Sequence, residues 1–157
     1  MNMTPTPRQS DDAVMELLAF RVAGQDYALD IMTVREIRSS TLATSLPRAP
    51  SFVRGVINLR GMVLPILDLA RRLGIGEEAG LTRNVTIVVD HEGRSFGLMV
   101  DAVSDIITVP VAALQRPPSL SNETEHGFVN ALAIVEGRML RVLELAAVIP
   151  RPSEEAA

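Results

Sequence analysis

Two histidines, an acid repeated in two similar runs and an arginine in a tight turn are the side chains here with the means to do chemistry. His91 stands between Asp90 and Glu92, a trio with the atom types of a metal site. Neighbours at a strand tip point in different directions, and Asp90-His91-Glu92-Gly93 has the composition of a hairpin turn, which is how we read it. His126, beside Glu123 and Glu125, reads as solvated surface. Asp68 and Glu144 close two similar apolar runs and have the makings of an acid–base pair. Each also begins a short helical segment, where an acid complements the helix N-terminus, and the sequence shows no cleft that would join them. Cysteine is absent, which removes disulfides, thiolate metal sites and cysteine nucleophiles. No G-x-S-x-G elbow, phosphate-cradling glycine loop or H-E-x-x-H helix is present. No catalytic residue, cofactor or metal is expected, and the chain reads as a binding protein.

Arg60 is the residue best placed to make a specific contact. In Arg54-Gly55-Val56-Ile57-Asn58-Leu59-Arg60-Gly61, strand period puts Arg54, Val56, Asn58 and Arg60 on one face and Gly55, Ile57 and Leu59 on the other. At a hairpin tip Arg60 is either a solvated charge or a fork that grips a partner's carboxylate or carbonyls.

The elements that position these residues are mostly strands. Leu17 to Val22 and Tyr27 to Ile31 flank Ala23-Gly24-Gln25-Asp26, and Val85 to Val89 and Ser95 to Val100 flank the His91 turn. Val56 to Leu59 and Met62 to Leu67 meet at Arg60-Gly61; Ala131 to Val135 and Met139 to Leu143 meet at Glu136-Gly137-Arg138. Pro65 marks its run as an edge strand, or one whose missing N–H faces away from a neighbour. Asp68 to Leu73, stopped by Gly74, and Glu144 to Ile149, stopped by Pro150, read as short helices. Met32 to Ile37 and Ala102 to Ile106 read as single helical turns. Met32, Met62, Met99 and Met139 fall in apolar segments and read as core filling.

These elements occur twice. Tyr27-Ala28-Leu29 with Ile31, Val34, Glu36 and Ile37 matches Phe96-Gly97-Leu98 with Val100, Val103, Asp105 and Ile106. Gly61 to Leu69 matches Gly137 to Leu145. Two pairs in the same order imply two similar units packed together. We expect a single domain over 14–150, with subdomains near 15–75 and 82–149 that have room to exchange terminal segments, and loose tails at 1–13 and 151–157.

With 47% hydrophobic and 22% charged residues the chain can bury a sizeable core. Its apolar runs stay short of the roughly 18 residues of a membrane span, and its start lacks a signal-peptide core, so a cytoplasmic protein is expected. All fifteen basic residues are arginine. Met15 to Ile75 holds eight arginines against five acids, and Gly76 to Pro150 five against ten, so the halves differ in sign. Opposite halves favour head-to-tail contacts. Without a dense basic stripe or exposed aromatics, nucleic acid is not an expected partner.

Val34-Arg35-Glu36-Ile37, Leu46-Pro47-Arg48-Ala49-Pro50, Gly55-Val56-Ile57-Asn58-Leu59-Arg60-Gly61 and Leu64-Pro65-Ile66-Leu67-Asp68-Leu69 together resemble the CheW family of chemotaxis adaptors. The likeness continues through Gly97 to Val103 and Arg138 to Leu143, spanning about Leu17 to Ile149. It implies an all-β fold with a few short helices, in which two SH3-like five-stranded barrels pack around a shared hydrophobic core. It implies a non-catalytic scaffold that couples the cytoplasmic tips of chemoreceptors to the histidine kinase CheA in arrays tied to the membrane by protein contacts. Further CheW copies in rings are additional implied partners.

By position, the resemblance places Val34, Glu36, Ile37 and Arg60 at the receptor groove. Val34 and Ile37 are three apart on the expected helical turn, so one apolar face can take a receptor side chain; for Ile37, plain core packing is the equal alternative. Ser40, Thr41, Leu42, Ala43 and Thr44 would serve one contact with the kinase regulatory domain, and Arg116 with Leu120 the other. Where the family usually has glycine, this chain has Ala131, which would be strained if a positive φ is required. Other readings are a CheW-like adaptor of a non-flagellar chemosensory system, such as pili-based motility, and a small-molecule sensor or enzyme on paired barrels.

Overall fold

Four two-residue turns lay out most of the strands. In the computed structural model, which describes residues 13–40, 42–75, 85–117 and 127–150, Ala23-Gly24, Arg60-Gly61, Glu92-Gly93 and Glu136-Gly137 all have positive φ at both positions. That is the conformation whose twist matches paired antiparallel strands. The turns join β1 (Val14–Val22) to β2 (Gln25–Asp30), β4 (Val53–Leu59) to β5 (Met62–Asp68), β6 (Val85–His91) to β7 (Arg94–Val100) and β9 (Val129–Val135) to β10 (Arg138–Leu143). Two further strands, β3 (Val34–Ser39) and β8 (Ala102–Pro110), lack a hairpin partner next in sequence. Helix α1 (Leu69–Leu73) follows β5, and α2 (Leu145–Val148) follows β10.

The strands form two five-stranded sheets, ordered β3-β6-β7-β5-β4 and β8-β1-β2-β10-β9. These are the two SH3-like barrels, and each draws strands from both halves of the sequence. The β1–β2 hairpin joins the later strands, while β6–β7 joins the earlier ones. Each hairpin joins on both sides, in parallel with Ala28 opposite Val142 and Leu67 opposite Leu98, and antiparallel where β1 meets β8 and β6 meets β3. Neither half can therefore complete a sheet alone.

Alternation along the strands separates three apolar clusters. Leu64, Ile66 and Val88 fill the first barrel, and Leu17, Ala28, Leu140 and Val142 the second. The opposite faces of both sheets meet in a larger shared core that includes Phe20, Tyr27, Leu67, Phe96 and Leu98. The helices close this core, with Leu69, Leu73 and Val148 buried in it. Asp68 caps α1 through its side chain, and Gly74 ends it at φ 77°. The side chain of Glu144 leaves α2 uncapped and bonds instead to Asn130.

Several local expectations are corrected. The helical turn expected over Met32 to Ile37 is a short 3-10 turn, Ile31–Thr33, held by the Asp30 carboxylate accepting from Met32 N. From Val34 the chain is β3, because β-branched residues here pair with β6. Ala102 to Ile106 likewise belongs to β8, paired with β1. The Pro65 strand lies between β4 and β7, but its pairing with β7 begins only at Ile66, so no β7 residue sits opposite the proline. Among the four methionines, Met99 packs against the first barrel's interior, whereas Met32, Met62 and Met139 are exposed. Finally, Ala131 is not among the residues at positive φ, so it carries no such strain; its counterpart Gly55 sits at φ 144°.

Candidate functional site

Glu36 is the hub of the charged cluster beside the first barrel. Its Oε1 accepts from Arg60 Nη2 at 2.6 Å, and its Oε2 from Arg38 Nη1 at 3.1 Å. The first bond joins edge strand β3 to the tip of the β4–β5 hairpin. Asn58 Oδ1 accepts from Gly61 N at 3.0 Å and holds that tip in shape. Arg35, Leu59, Met62 and Ser95 complete a cavity of about 220 Å³ around the pair. Arg60 remains mostly exposed, so its guanidinium faces both Glu36 and solvent.

The arginines hold the Glu36 carboxyl below its ordinary value of 4.5, Arg60 contributing most through its hydrogen bond and Arg38 next; partial burial opposes them. A depressed folded-state pKa contributes stability that is fully present above the unfolded value and is lost as pH falls through the folded one. The cluster is therefore intact at neutral pH and weakens only below the carboxylate's ordinary range. We expect Arg60→Ala to raise the Glu36 titration midpoint, measured by carboxyl-carbon NMR, towards the ordinary value. An unchanged midpoint would remove Arg60 as its main partner.

Val34 and Ile37 share a face, though for a different reason from the one anticipated. A bulge between Val34 and Glu36 adds one residue to β3. The register then places Val34 opposite Val89 and Ile37 opposite Ile87, both in the shared core, so both side chains point to that side. Val34 packs against the core, whereas Ile37 is 46% exposed at the sheet edge. Ile37 thus extends the core surface outwards instead of filling it. Glu36 turns to the other face, opposite Val88.

Ser40 follows β3, with its hydroxyl 3.1 Å from that of Thr86. Leu42 is 96% exposed. Ala43 packs against the first barrel's interior, and Thr44 exchanges two 2.9 Å backbone hydrogen bonds with Val56. Thr41 lies outside the described residues, as do Leu120 and His126. Arg116 is exposed and follows Gln115, which bridges Leu132 as Thr44 bridges Val56. Ala43 and Thr44 therefore border the first barrel, and Gln115 with Arg116 the second.

Exposed apolar residues that the sequence did not mark as contact candidates, two of them methionines read as core filling, lie on both barrels. In the first barrel Val63, Met62 and Leu46 line a groove of about 470 Å³ with Pro65 and Phe96, where β5 and β7 part. In the second, Ile134 and Met139 form an exposed cross-strand pair next to the Glu136 turn. Strand alternation carried the signal, since inward-facing Leu64 and Leu140 turn Val63 and Met139 outwards. Asp68 and Glu144 do not meet as an acid pair, each being engaged beside its own barrel by Arg54 and Asn130. Among the described residues no cluster of three potential metal ligands occurs, and no helix is long and apolar enough to cross a membrane.

Paired barrels with surface-exposed apolar and charged groups define a protein built around contact surfaces. Residues 16–153 match the CheW-like domain model. The chain is 44% identical over 155 residues to the chemotaxis protein CheW of Rhizobium meliloti (strain 1021), covering 99% of this chain and all of that one. It is 28% identical over 142 residues to the chemotaxis protein CheW of Bacillus subtilis (strain 168), covering 90% and 91%. The crystal structure of the scaffolding protein TtCheW from Thermoanaerobacter tengcongensis superposes with a TM-score of 0.82 at 30% identity, covering 91% of this chain and 97% of that one. The chain belongs to the CheW-like domain family.

Proposed function

We propose that this protein is a non-catalytic chemotaxis scaffold that couples the cytoplasmic tips of chemoreceptors to the kinase CheA. Membership of the family over the full pair of barrels carries the reading. Val34, Ile37, Glu36 and Arg60 supply the receptor contact, an apolar strip beside a charged clasp. The apolar strip gives contact area, and the arginine, already oriented by Glu36, gives direction at little entropic cost. The kinase regulatory domain meets residues 40–44 in one contact and Arg116 with Leu120 in the other. Exposed Leu42, Val63, Ile134 and Met139 support apolar contacts at both ends. Two ends that each carry exposed apolar residues let one scaffold touch two neighbours, the requirement for an array.

Pull-down of receptor fragments and of a CheA regulatory domain tests this. Val34→Ala and Arg60→Ala are expected to weaken receptor capture by about tenfold each, the size of a moderate interface contact, with the fold retained. Leu42→Ala and Leu120→Ala are expected to weaken kinase capture and spare the receptor. Unchanged kinase capture by both leucine variants would show that those contacts are misassigned. Capture of neither partner by the parent protein would overturn the scaffold reading.

A further inference from the structure

The two copies of the repeat treat their helix-leading acid differently. In the first, the buried Asp68 carboxylate faces Arg54 at 3.6 Å. In the second, the matching residues are Glu144 and Asn130, and Asn130 Nδ2 donates to Glu144 Oε1 at 2.7 Å. The correspondence is physical as well as sequential: Asp68 N donates to Phe52 O at 2.8 Å, and Glu144 N to Phe128 O at 2.7 Å. Asparagine supplies a hydrogen bond but no charge, so among the described residues the exchange leaves the Glu144 carboxylate without a matching arginine.

Beside Glu144 lies a cavity of about 420 Å³ floored by Leu29, Leu114 and Leu143, with Asp30 and His91 on its wall. That volume is in the range that holds a small ligand or inserted side chains, roughly 300 Å³ upwards. Asp30 accepts a backbone hydrogen bond from Met32 at 3.0 Å. Among the described residues, neither Asp30 nor Glu144 has an arginine partner, whereas Asp26, Glu36, Asp68 and Asp90 each face one. His91 Nε2 lies 3.7 Å from Glu92. The cavity thus joins an apolar floor to two unmatched carboxylates.

We propose that this cavity receives an arginine side chain presented by a partner protein next to an apolar residue. The guanidinium meets the free oxygen of Glu144, filling from outside the role that Arg54 fills within the first repeat. Its methylenes and the apolar neighbour lie on Leu29 and Leu143, and Asp30 adds to the field. Arginine suits a half-apolar site better than lysine because its charge is delocalised and weakly hydrated. The inference is independent of which receptor or kinase the scaffold serves.

Titration of the full-length protein with the peptide acetyl-Leu-Arg-Leu-amide, followed by amide NMR, tests it. Millimolar peptide is expected to shift Ala131, Leu143 and Ala146. A peptide with citrulline replacing arginine, and free arginine amide, are each expected to bind about tenfold more weakly, having lost the charge or the apolar neighbour. Glu144→Gln is expected to weaken the arginine peptide similarly. Asn130→Arg is expected to abolish its binding by supplying the missing guanidinium from within, while thermal stability is kept or raised. No shifts at the cavity, equal binding of the citrulline peptide, or unchanged binding to Asn130→Arg would each overturn the proposal. Equal binding of free arginine amide would overturn the protein source and leave a small-molecule site.

Discussion

Alanine at position 55 is expected to destabilise the protein by about 3 kcal/mol, while glycine at the matching position 131 changes stability by no more than roughly 1 kcal/mol. Gly55 has φ 144°, and a Cβ there would lie 2.2 Å from Thr44 O. That oxygen accepts the hydrogen bond from Val56 N, so the clash falls on the backbone bridge joining residues 42–44 to β4. Relieving it requires the segment to move away and give up both bridge bonds, each worth about 1 kcal/mol, on top of the backbone strain. Ala131 already holds a Cβ in a conformation outside the positive-φ region, and its side chain packs against the second barrel's core. Urea unfolding of both variants checks the contrast. A Gly55→Ala midpoint close to that of the parent would show that the bridge yields at little cost. The same variant should weaken kinase capture more than receptor capture, since the displaced segment carries Leu42 while Arg60 sits at the far end of the hairpin.

The hairpins were legible because each carries a glycine at the second turn position between alternating apolar runs, a strictly local signal. Strand β3 was misread for an instructive reason. Residues three apart share a face on a helix, and a bulge makes residues three apart share a face on a strand; Val34 and Ile37 satisfy both. The spacing recovers the shared face without the element that produces it. The exchange of hairpins between barrels was harder to see, because periodicity identifies similar units without saying which strands pair across them. Ala28 and Leu98 would be buried in β2 and β7 with either set of partners. The Glu36–Arg60 bond joins residues 24 apart in sequence and depends on how the barrel brings β3 to the hairpin tip. Even so, the broken symmetry of the repeat was open to reading, since Arg54 against Asn130 is a one-letter difference between aligned copies. Its meaning required the cavity beside Glu144.

The second large effect is expected from Arg72, where the symmetry of the repeat breaks at its centre. Arg72 Nε and Nη2 donate to Val148 O and Ala147 O at 2.7 and 3.0 Å, so a side chain on α1 satisfies the last carbonyls of α2. The same guanidinium lies 4.2 Å from the ring centre of Phe52 and 5.1 Å from that of Phe128, the matching aromatics of the two copies. A position that held arginine in both copies would bring two cations together here; the second copy instead has Val148, buried in the shared core. Arg72→Ala removes two charge-assisted hydrogen bonds and two ring contacts and leaves carbonyls short of partners, a loss of about 2–4 kcal/mol. Arg72→Lys retains the charge but cannot reproduce the planar fork, so it should recover only part of that. The loss should appear as a lower urea midpoint with an unchanged slope, because the unfolded chain exposes the same surface. Phe52→Leu combined with Arg72→Ala should destabilise by less than the sum of the two single changes, since the two residues are in contact. Strict additivity would mean that the arginine acts only through the helix carbonyls. Because neither half completes a barrel alone, a weakness at this seam is transmitted to both, and the surfaces proposed for receptor and kinase should be lost together in a single unfolding step.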